Sequence, residues 1–413
     1  VNKTWEYRSL EELCEFGSGL WKGKKPPYIK ASVIRNTNFT KDCELSDSDI
    51  IKLDVEISQF EKRKLKFEDL VIEKSGGGPK QPVGRVVLFN IKNGNYSLSN
   101  FTSFLRIKDK QILNSKYLHK FLYFIYVSGI TETMQSHSTG IRNLNLHQYK
   151  RIQVPIPPLS EQKQIVSILD EAFEGIAKAK ANAEKNLANA REIFESYLQD
   201  LFVNKKSGWK EAKLNDLCEK ITKGSSPKWQ GIKYVGEPGI LFVTSENVGV
   251  NRMILNTKKY VEERFNLLEK KAILKRGDVL TNIVGASIGR TAIFECDDIA
   301  NINQAVCILR CKTDLLYNRF LSYLLNSPFL KAHLHENEVN NARANLSLGF
   351  FSNLKLNIPT LKEQKTIVSR IDEFAESIEK LETVYLRKLN DLQDLKKSIL
   401  QKAFSGDLIR RAS

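Results

Sequence analysis

At 413 residues, with 41% hydrophobic and 27% charged positions, the chain reads as a soluble globular protein too long for one ordinary core, so two or three domains are expected. Lys and Arg number 64 against 48 Asp and Glu, a formal charge of +16 that favours a polyanionic partner, nucleic acid ahead of membrane because no basic amphipathic anchor is present. No apolar run reaches the length of a membrane span, the first residues lack a charged-then-apolar leader, and six cysteines without framework spacing fit a reducing compartment; together these predict a cytoplasmic protein.

Residues 1–155 form a first predicted unit. Short β-branched and aromatic runs at 84–90 and 101–107 predict strands, and 117–126 predicts a short helix after them. Strands followed by a helix indicate an α+β unit.

Residues 156–206 predict one long helix. Its apolar positions are Ile165, Leu169, Ala172, Ile176, Ala179, Ala183, Leu187, Ala190, Phe194, Tyr197 and Leu201. The steps alternate four and three, with one doubled four between Ala179 and Leu187, so the mean period is that of a coiled coil with a local unwinding. Ser160 is the expected N-cap, and Asn204 occupies the position just past the helix that favours a left-handed residue.

The chain then starts again. Residues 207–358 repeat the first unit: Trp5-x4-Leu10-x2-Leu13-Cys14-Glu15 returns as Trp209-x4-Leu214-x2-Leu217-Cys218-Glu219, at an offset of 204. Leu65-Lys66-x2-Asp69 returns as Leu274-Lys275-x2-Asp278, Gly84-Arg85 as Gly289-Arg290, and Leu105-Arg106 as Leu309-Arg310. Strands are predicted at 278–283, 289–294 and 305–310, and a helix at 318–325. Motifs that recur while the residues between them diverge describe two domains of one fold with different surfaces.

Residues 359–413 repeat the long helix at an offset of 202, with Ile367, Ile371, Phe374, Ile378, Leu381, Tyr385, Leu389, Leu392, Ile399 and Ala403 as its seam and only Lys396 breaking it. Thr360 with Glu363 reads as a capping box, and Gly406 matches Asn204. About 40 residues at 1.5 Å each give helices roughly 60 Å long. The second unit enters where the first helix ends and leaves where the second begins, so the two seams are expected to pair as an antiparallel coiled coil with one unit at each end, a nearly circular, pseudo-twofold chain. Two divergent basic modules held a fixed distance apart suit two short sequences on one duplex, where sites one turn apart are about 34–36 Å from centre to centre.

This organisation resembles the specificity (S) subunit of type I restriction-modification systems, the HsdS family. The residues that carry the resemblance are Ile156-Pro157-Pro158-Leu159-Ser160-Glu161-Gln162, the matching Ile358-Pro359-x-Leu361-x-Glu363-Gln364, and Leu400-Gln401-Lys402-Ala403-Phe404-Ser405-Gly406-Asp407-Leu408. It spans essentially the whole chain, and implies two target-recognition domains joined by helical spacers, a bipartite double-stranded DNA target, two adenine-methyltransferase (M) subunits as partners, and restriction (R) subunits reached through them. It implies S-adenosylmethionine, ATP and Mg on those partners only, and no cofactor on this chain.

The resemblance places DNA contacts in the recognition domains without fixing residues, so candidates follow from loop chemistry: glycines that admit phosphate, Arg and Lys for phosphate or guanine, Asn for adenine. In the first unit these are Lys22, Lys24, Lys25 and Tyr28; Lys74, Lys80 and Arg85 around a Gly-Gly-Gly run; and His137, Thr139, Arg142 and Asn143. In the second they are Ser225, Lys228, Trp229, Ser245 and Asn247; Asn282, Ser287 and Arg290; and Asn341, Arg343 and Asn345. Arg85 with Arg290, and Arg142 with Arg343, are matched pairs that either contact DNA or brace the fold. Glu161, Gln162, Glu363 and Gln364, at matched helix starts, are candidates for the partner surface or for capping.

Catalytic signatures are missing. Lys25-Pro26-Pro27-Tyr28 approaches the Asn/Asp-Pro-Pro-Tyr motif of amino-methyltransferases, but Lys replaces the acceptor residue and only 24 residues precede it. Gly76-Gly77-Gly78-Pro79-Lys80 lacks the ending of a phosphate-binding loop. Cys307 and Cys311, four apart on a predicted strand, lie about 13 Å from one another and do not share a metal. No catalytic residue, metal site or cofactor site is therefore expected. The competing readings are a coiled-coil adaptor with incidentally basic domains and a self-contained methyltransferase.

Overall fold

The computed structural model describes residues 5–21, 23–78, 81–138, 141–204, 208–337 and 344–408. Contacts divide the chain into two compact units, one formed by 1–183 with 387–413, the other by 184–386. The division cuts both long helices, Leu159–Val203 and Leu361–Phe404, so each unit holds the beginning of one and the end of the other.

In the first unit an antiparallel sheet runs in the order Cys14–Ser18, Thr102–Ile107, Leu70–Glu73, Val86–Leu88. A second sheet sets Tyr28–Ile34 between antiparallel Ile51–Glu56 and parallel Tyr96–Leu98. A strand pair, Glu6–Ser9 with Gln153–Ile156, ties the chain start to the residues before the long helix. The helix Ser115–Val127 covers the first sheet through Tyr117, Leu118, Phe121 and Leu122, all buried.

The second unit repeats this plan. Its antiparallel sheet runs Cys218–Lys223, Val306–Cys311, Val279–Asn282, Thr291–Ile293; its other sheet again contains one parallel pair, Ile240–Val243 with Ala300–Ile302; and Lys210–Lys213 pairs with Lys355–Ile358. Helices Asn318–Asn326 and Pro328–Glu336 stand where the first unit has one.

The recurring motifs are the ones that bind each plan together. Arg106 grips Asp69 with two hydrogen bonds of 2.8 and 2.6 Å and donates to the Lys64 carbonyl; Arg310 grips Asp278 at 2.7 and 2.7 Å and donates to the Ile273 carbonyl. Gly19 and Gly224 pass so close to the next strand that a Cβ would stand 1.8 Å from the carbonyl oxygens of Ser99 and Ile302, which excludes any side chain there. Each unit also has a residue with a left-handed backbone, Cys43 (φ 58°) and Asn251 (φ 54°), fastened to the covering helix. Ser322 and Asn326 donate to the Asn251 side chain.

In the first unit that role falls to His119, buried with Nε2 2.9 Å from the Cys43 carbonyl and 3.1 Å from the Val86 carbonyl. Two acceptors at one nitrogen require the proton on Nε2. Burial pulls the imidazole pKa down, with Glu44 opposing and Lys120 assisting, so the folded chain holds His119 neutral. A base with a folded pKa below its unfolded value of about 6.5 contributes stability that is present above that value and lost as pH falls beneath it. Between pH 6.5 and 5.5 the first unit is expected to lose up to about 1 kcal/mol in chemical denaturation, and His119→Gln to flatten that slope.

Both long helices extend as their periodicity predicts, and within each unit they pack antiparallel. In the first, Ile165, Val166 and Leu169 near one helix start share a core with Leu400, Ala403 and Phe404 at the other's end. In the second, the rings of Phe194 and Tyr197 lie 6.1 and 4.8 Å from that of Phe374, and Arg191 pairs with Glu382 at 2.7 Å. Every seam residue is at least partly buried except Leu381, 45% exposed. Lys396 does not break the seam: its stem fills it, while Nζ lies over the Phe173 and Tyr123 rings and bonds Asp42 at 2.7 Å.

The helix ends differ from expectation in two places. Ser160 lies inside the first turn, since the helix begins at Leu159, whereas Thr360 does cap Glu363. Gly406 takes the left-handed conformation (φ 84°), but Asn204 does not; its side-chain amide donates instead to Asp200.

Candidate nucleic-acid interface

Each unit exposes aromatic and basic side chains in the connection that follows its second strand. In the first, Lys24, Lys25 and Tyr28 are exposed, and the backbone N–H groups of Lys24 and Lys25 turn towards the Glu56 carboxylate at 3.3 and 3.2 Å. Hydrogen bonds from Ser58 and from the Lys25 and Lys24 backbone hold that carboxyl below its usual range. Trp21, 58% exposed beside them, escaped sequence reasoning because a single Trp between loop residues carries no pattern. In the second, the 3₁₀ turn Pro227–Gln230 lifts Lys228 and Trp229 outward, Trp229 to 80% exposure. Ser225 is half-buried and its hydroxyl accepts from Gln230, which braces that turn. Lysine beside an exposed indole or phenol offers phosphate neutralisation together with a stacking face.

A second candidate surface differs between the units. Only the first has, among the described residues, a sheet of Ser75–Gly77, Ile141–Leu144 and Gln135–Ser138. It brings Lys74, Arg142 and Asn143 together, and Ser75 Oγ donates to Asn143 at 2.6 Å. His137 lies opposite Arg142 in this ladder, and burial pulls the Lys74 ammonium pKa down. In the second unit the corresponding region is a 3₁₀ turn, Gly285–Ser287, with a single bridge from Val284 to the exposed Asn345. Ser287 is half-buried there and Arg290 is exposed. Lys22, Lys80, Thr139, Asn341 and Arg343, and the His137 side chain, lie outside the described residues.

Other candidates are spent on the fold. Arg85 is buried, with Nε and Nη2 on the Glu73 carboxylate at 2.8 and 2.9 Å and Nη1 and Nη2 on the carbonyls of Phe39 and Asn36. It braces the sheet and is not placed to reach a base. Asn247 caps its own 3₁₀ turn, accepting from the Thr244 N–H and donating to the Ile254 carbonyl; Asn282 is fully buried and donates to the Ser245 carbonyl, which leaves Ser245 half-buried beneath it.

The candidate partner residues are engaged at the helix starts. Gln162 is fully buried: its Oε1 accepts from the Asn114 N–H, and its Nε2 donates to the carbonyls of Ile112 and Pro157, each at 2.8 Å. Gln364 repeats this with Tyr317, Leu315 and Pro359 at 2.8, 2.9 and 3.0 Å. Glu161 and Glu363 accept from the indoles of Trp5 and Trp209 at 3.2 and 3.3 Å. The matched Glu-Gln pair clamps each long helix to its domain. The two glutamines face inward and are not free to dock a partner, whereas Glu161 and Glu363 are only half-buried.

No group of His, Cys, Asp and Glu among the described residues is arranged to hold a metal, and no described helix is long and apolar enough to cross a membrane. The family model for the type I restriction modification DNA specificity domain matches residues 2–185 and again 206–388. The chain belongs to that family. As a type I specificity subunit it recognises DNA and is not itself catalytic.

Relatives agree. Over 334 residues the chain is 27% identical to the type I restriction enzyme EcoBI specificity subunit of Escherichia coli, covering 73% of this chain and 68% of that one. Over 407 residues it is 26% identical to the StySPI specificity subunit of Salmonella potsdam, covering 92% and 82%. A chain from a structure described as showing complex assembly and conformational transition of the type I R-M system shares the fold at a TM-score of 0.79, with 17% identity over 99% of both chains. The HsdS subunit from Thermoanaerobacter tengcongensis does so at 0.57, with 17% identity over 99% of this chain and 98% of its own.

Proposed function

We propose that each recognition domain of this specificity subunit reads one half of a bipartite DNA target, and that the helix pair sets the gap between the halves. The observation that carries the reading is the repeat itself. The Asp–Arg clamps, the strand order of the antiparallel four-stranded sheet and the Glu-Gln helix anchors recur, while the exposed surfaces diverge: Lys24, Lys25 and Tyr28 against Lys228 and Trp229, and a three-stranded sheet against a 3₁₀ turn. One scaffold with two faces reads two sequences. The antiparallel packing of the helices inside each unit supports a spacer that resists bending.

Two methyltransferase subunits dock, on this reading, on the outer flank of the helices, and restriction subunits join through them. In the second unit Ile193, Leu381, Val384 and Leu386 are exposed, and in the first Leu395, matched to Ile193 at the offset of 202, is 47% exposed. S-adenosylmethionine, ATP and Mg belong to the partners, and the complex works in the cytoplasm.

Methylome sequencing of cells carrying the subunit and its methyltransferase partner defines the target. Exchange of residues 1–155 for those of another family member is expected to replace one half of the methylated motif completely and leave the other half and the gap as they were. A motif changed in both halves contradicts the reading.

A further inference from the structure

The lysine inserted into the second helix seam has partners that a spacer alone does not require. In the first unit Lys396 Nζ bonds Asp42 at 2.7 Å and sits 4.7 and 5.0 Å from the ring centres of Phe173 and Tyr123, its side chain 19% exposed. Asp42 belongs to the segment 36–44, which is held from beneath at two further points: His119 meets the Cys43 carbonyl, and Arg85 donates to the carbonyls of Phe39 and Asn36. The Asn36 side chain in turn lies against Gly76, where a Cβ would stand 2.7 Å from its Nδ2. Gly76 is the middle residue of strand Ser75–Gly77, which pairs with Ile141–Leu144 and so with Arg142 and Asn143. A continuous path of packed and hydrogen-bonded groups thus runs from the long helix to a candidate reading surface.

The second unit lacks this path among its described residues. The position matched to Lys396 is Phe194, which packs on Phe374. The turn matched to 36–44 is fastened by Ser322 and Asn326 from its own domain, and the Glu73–Arg85 bracket is replaced by buried Asn282 and exposed Arg290. A polar residue in an apolar seam costs stability and persists where it specifies an arrangement. Here the arrangement specified reaches past the seam, into the recognition domain.

We propose that Lys396 is a positioning residue for DNA selection: clamped on Asp42, it holds segment 36–44, and through Asn36 the strand Ser75–Gly77, in the form that reads the first half of the target. This rests on the reading that one domain reads one half. The helix that sets the gap then also tunes one reader, and the two halves of the target are not read with equal dependence on the spacer.

The test uses the full chain assembled with its methyltransferase partner, and duplexes bearing the cognate target or one base change in either half. Lys396→Met, Asp42→Asn and the double variant are expected to lower the preference for the cognate over the first-half change by about three- to thirtyfold, as coupling through such networks does, with the second-half preference unchanged. The double variant falls no further than either single one, because both break the same link. Asp42 is more than half exposed, so Asp42→Asn carries the test even where Lys396→Met disturbs the seam. An unchanged first-half preference in Asp42→Asn, an equal fall at both halves, or additive losses in the double variant overturns the proposal. The exchange of residues 1–155 separates the two levels. If it fails to switch one half alone, the reading of the domains falls and this proposal with it; if it does switch one half while Asp42→Asn selects normally, only the tether is overturned.

Discussion

Arg85→Met is expected to destabilise the first unit by about 3–5 kcal/mol, because it strands the Glu73 carboxylate in the core without its partner. The two side chains are 7% and 2% exposed, and the guanidinium makes four hydrogen bonds, two to the carboxylate and two to the carbonyls of Phe39 and Asn36. Domains are stable by only about 5–15 kcal/mol, so the loss is a large share of the total. Urea denaturation of the full chain checks it, with the second unit as internal reference. Arg290→Met, at the matched but exposed position, is expected to change stability by no more than about 0.5 kcal/mol. Arg85→Met combined with Glu73→Leu is expected to recover most of the loss, since an apolar pair in place of a buried ion pair is often neutral. A DNA-contacting arginine gives the opposite result: affinity falls while the denaturation midpoint stays.

The Arg85 and Arg290 pair shows where sequence stops being informative. Both follow a glycine and both precede a strand, so their local signals are identical. Their fates are decided across the sheet, where the first unit has Glu73 and the second has Asn282. What was legible is what packing repeats. The seams are readable because burial along a helix imposes a period; Asp69 and Arg106 recur as Asp278 and Arg310, but their pairing spans 37 residues in one unit and 32 in the other and shows in no local pattern. The doubled four-residue step in each seam matches the two helices by itself. Gln162 and Gln364 were visible as a repeat but not as anchors. Their partners, Asn114 and Ile112, or Tyr317 and Leu315, sit roughly fifty positions away, beyond any local pattern. Lys396 looked like a flaw for the same reason, its carboxylate partner being 354 residues distant. The candidate reading surfaces are the least legible, since exposed loops are free to vary wherever no core constrains them.

The anchoring of the helix ends sets the second large effect. Phe404 closes the last turn of the second helix inside the first unit, with its ring 5.6, 5.2 and 5.6 Å from those of Tyr117, Phe121 and Phe124. The chain then turns at Gly406 against Trp5 and lays Leu408 on the same core. Phe404→Ala removes the centre of that cluster and is expected to cost about 3–5 kcal/mol. Phe202→Ala, which empties the matched position against Phe320 in the second unit, is expected to cost a similar amount there. Leu381→Ala, on an exposed helix position, serves as the control within about 0.5 kcal/mol. Hydrogen exchange locates the change: amides of the last turns of the second helix open in Phe404→Ala, and those at the end of the first helix in Phe202→Ala. If the helices serve as the spacer, both variants also lose preference for the native gap over targets one base pair longer or shorter, measured below their melting temperatures. A stable Phe404→Ala variant with unaltered exchange contradicts the anchoring role of Phe404; altered exchange with unaltered gap preference keeps the anchor and contradicts the spacer role.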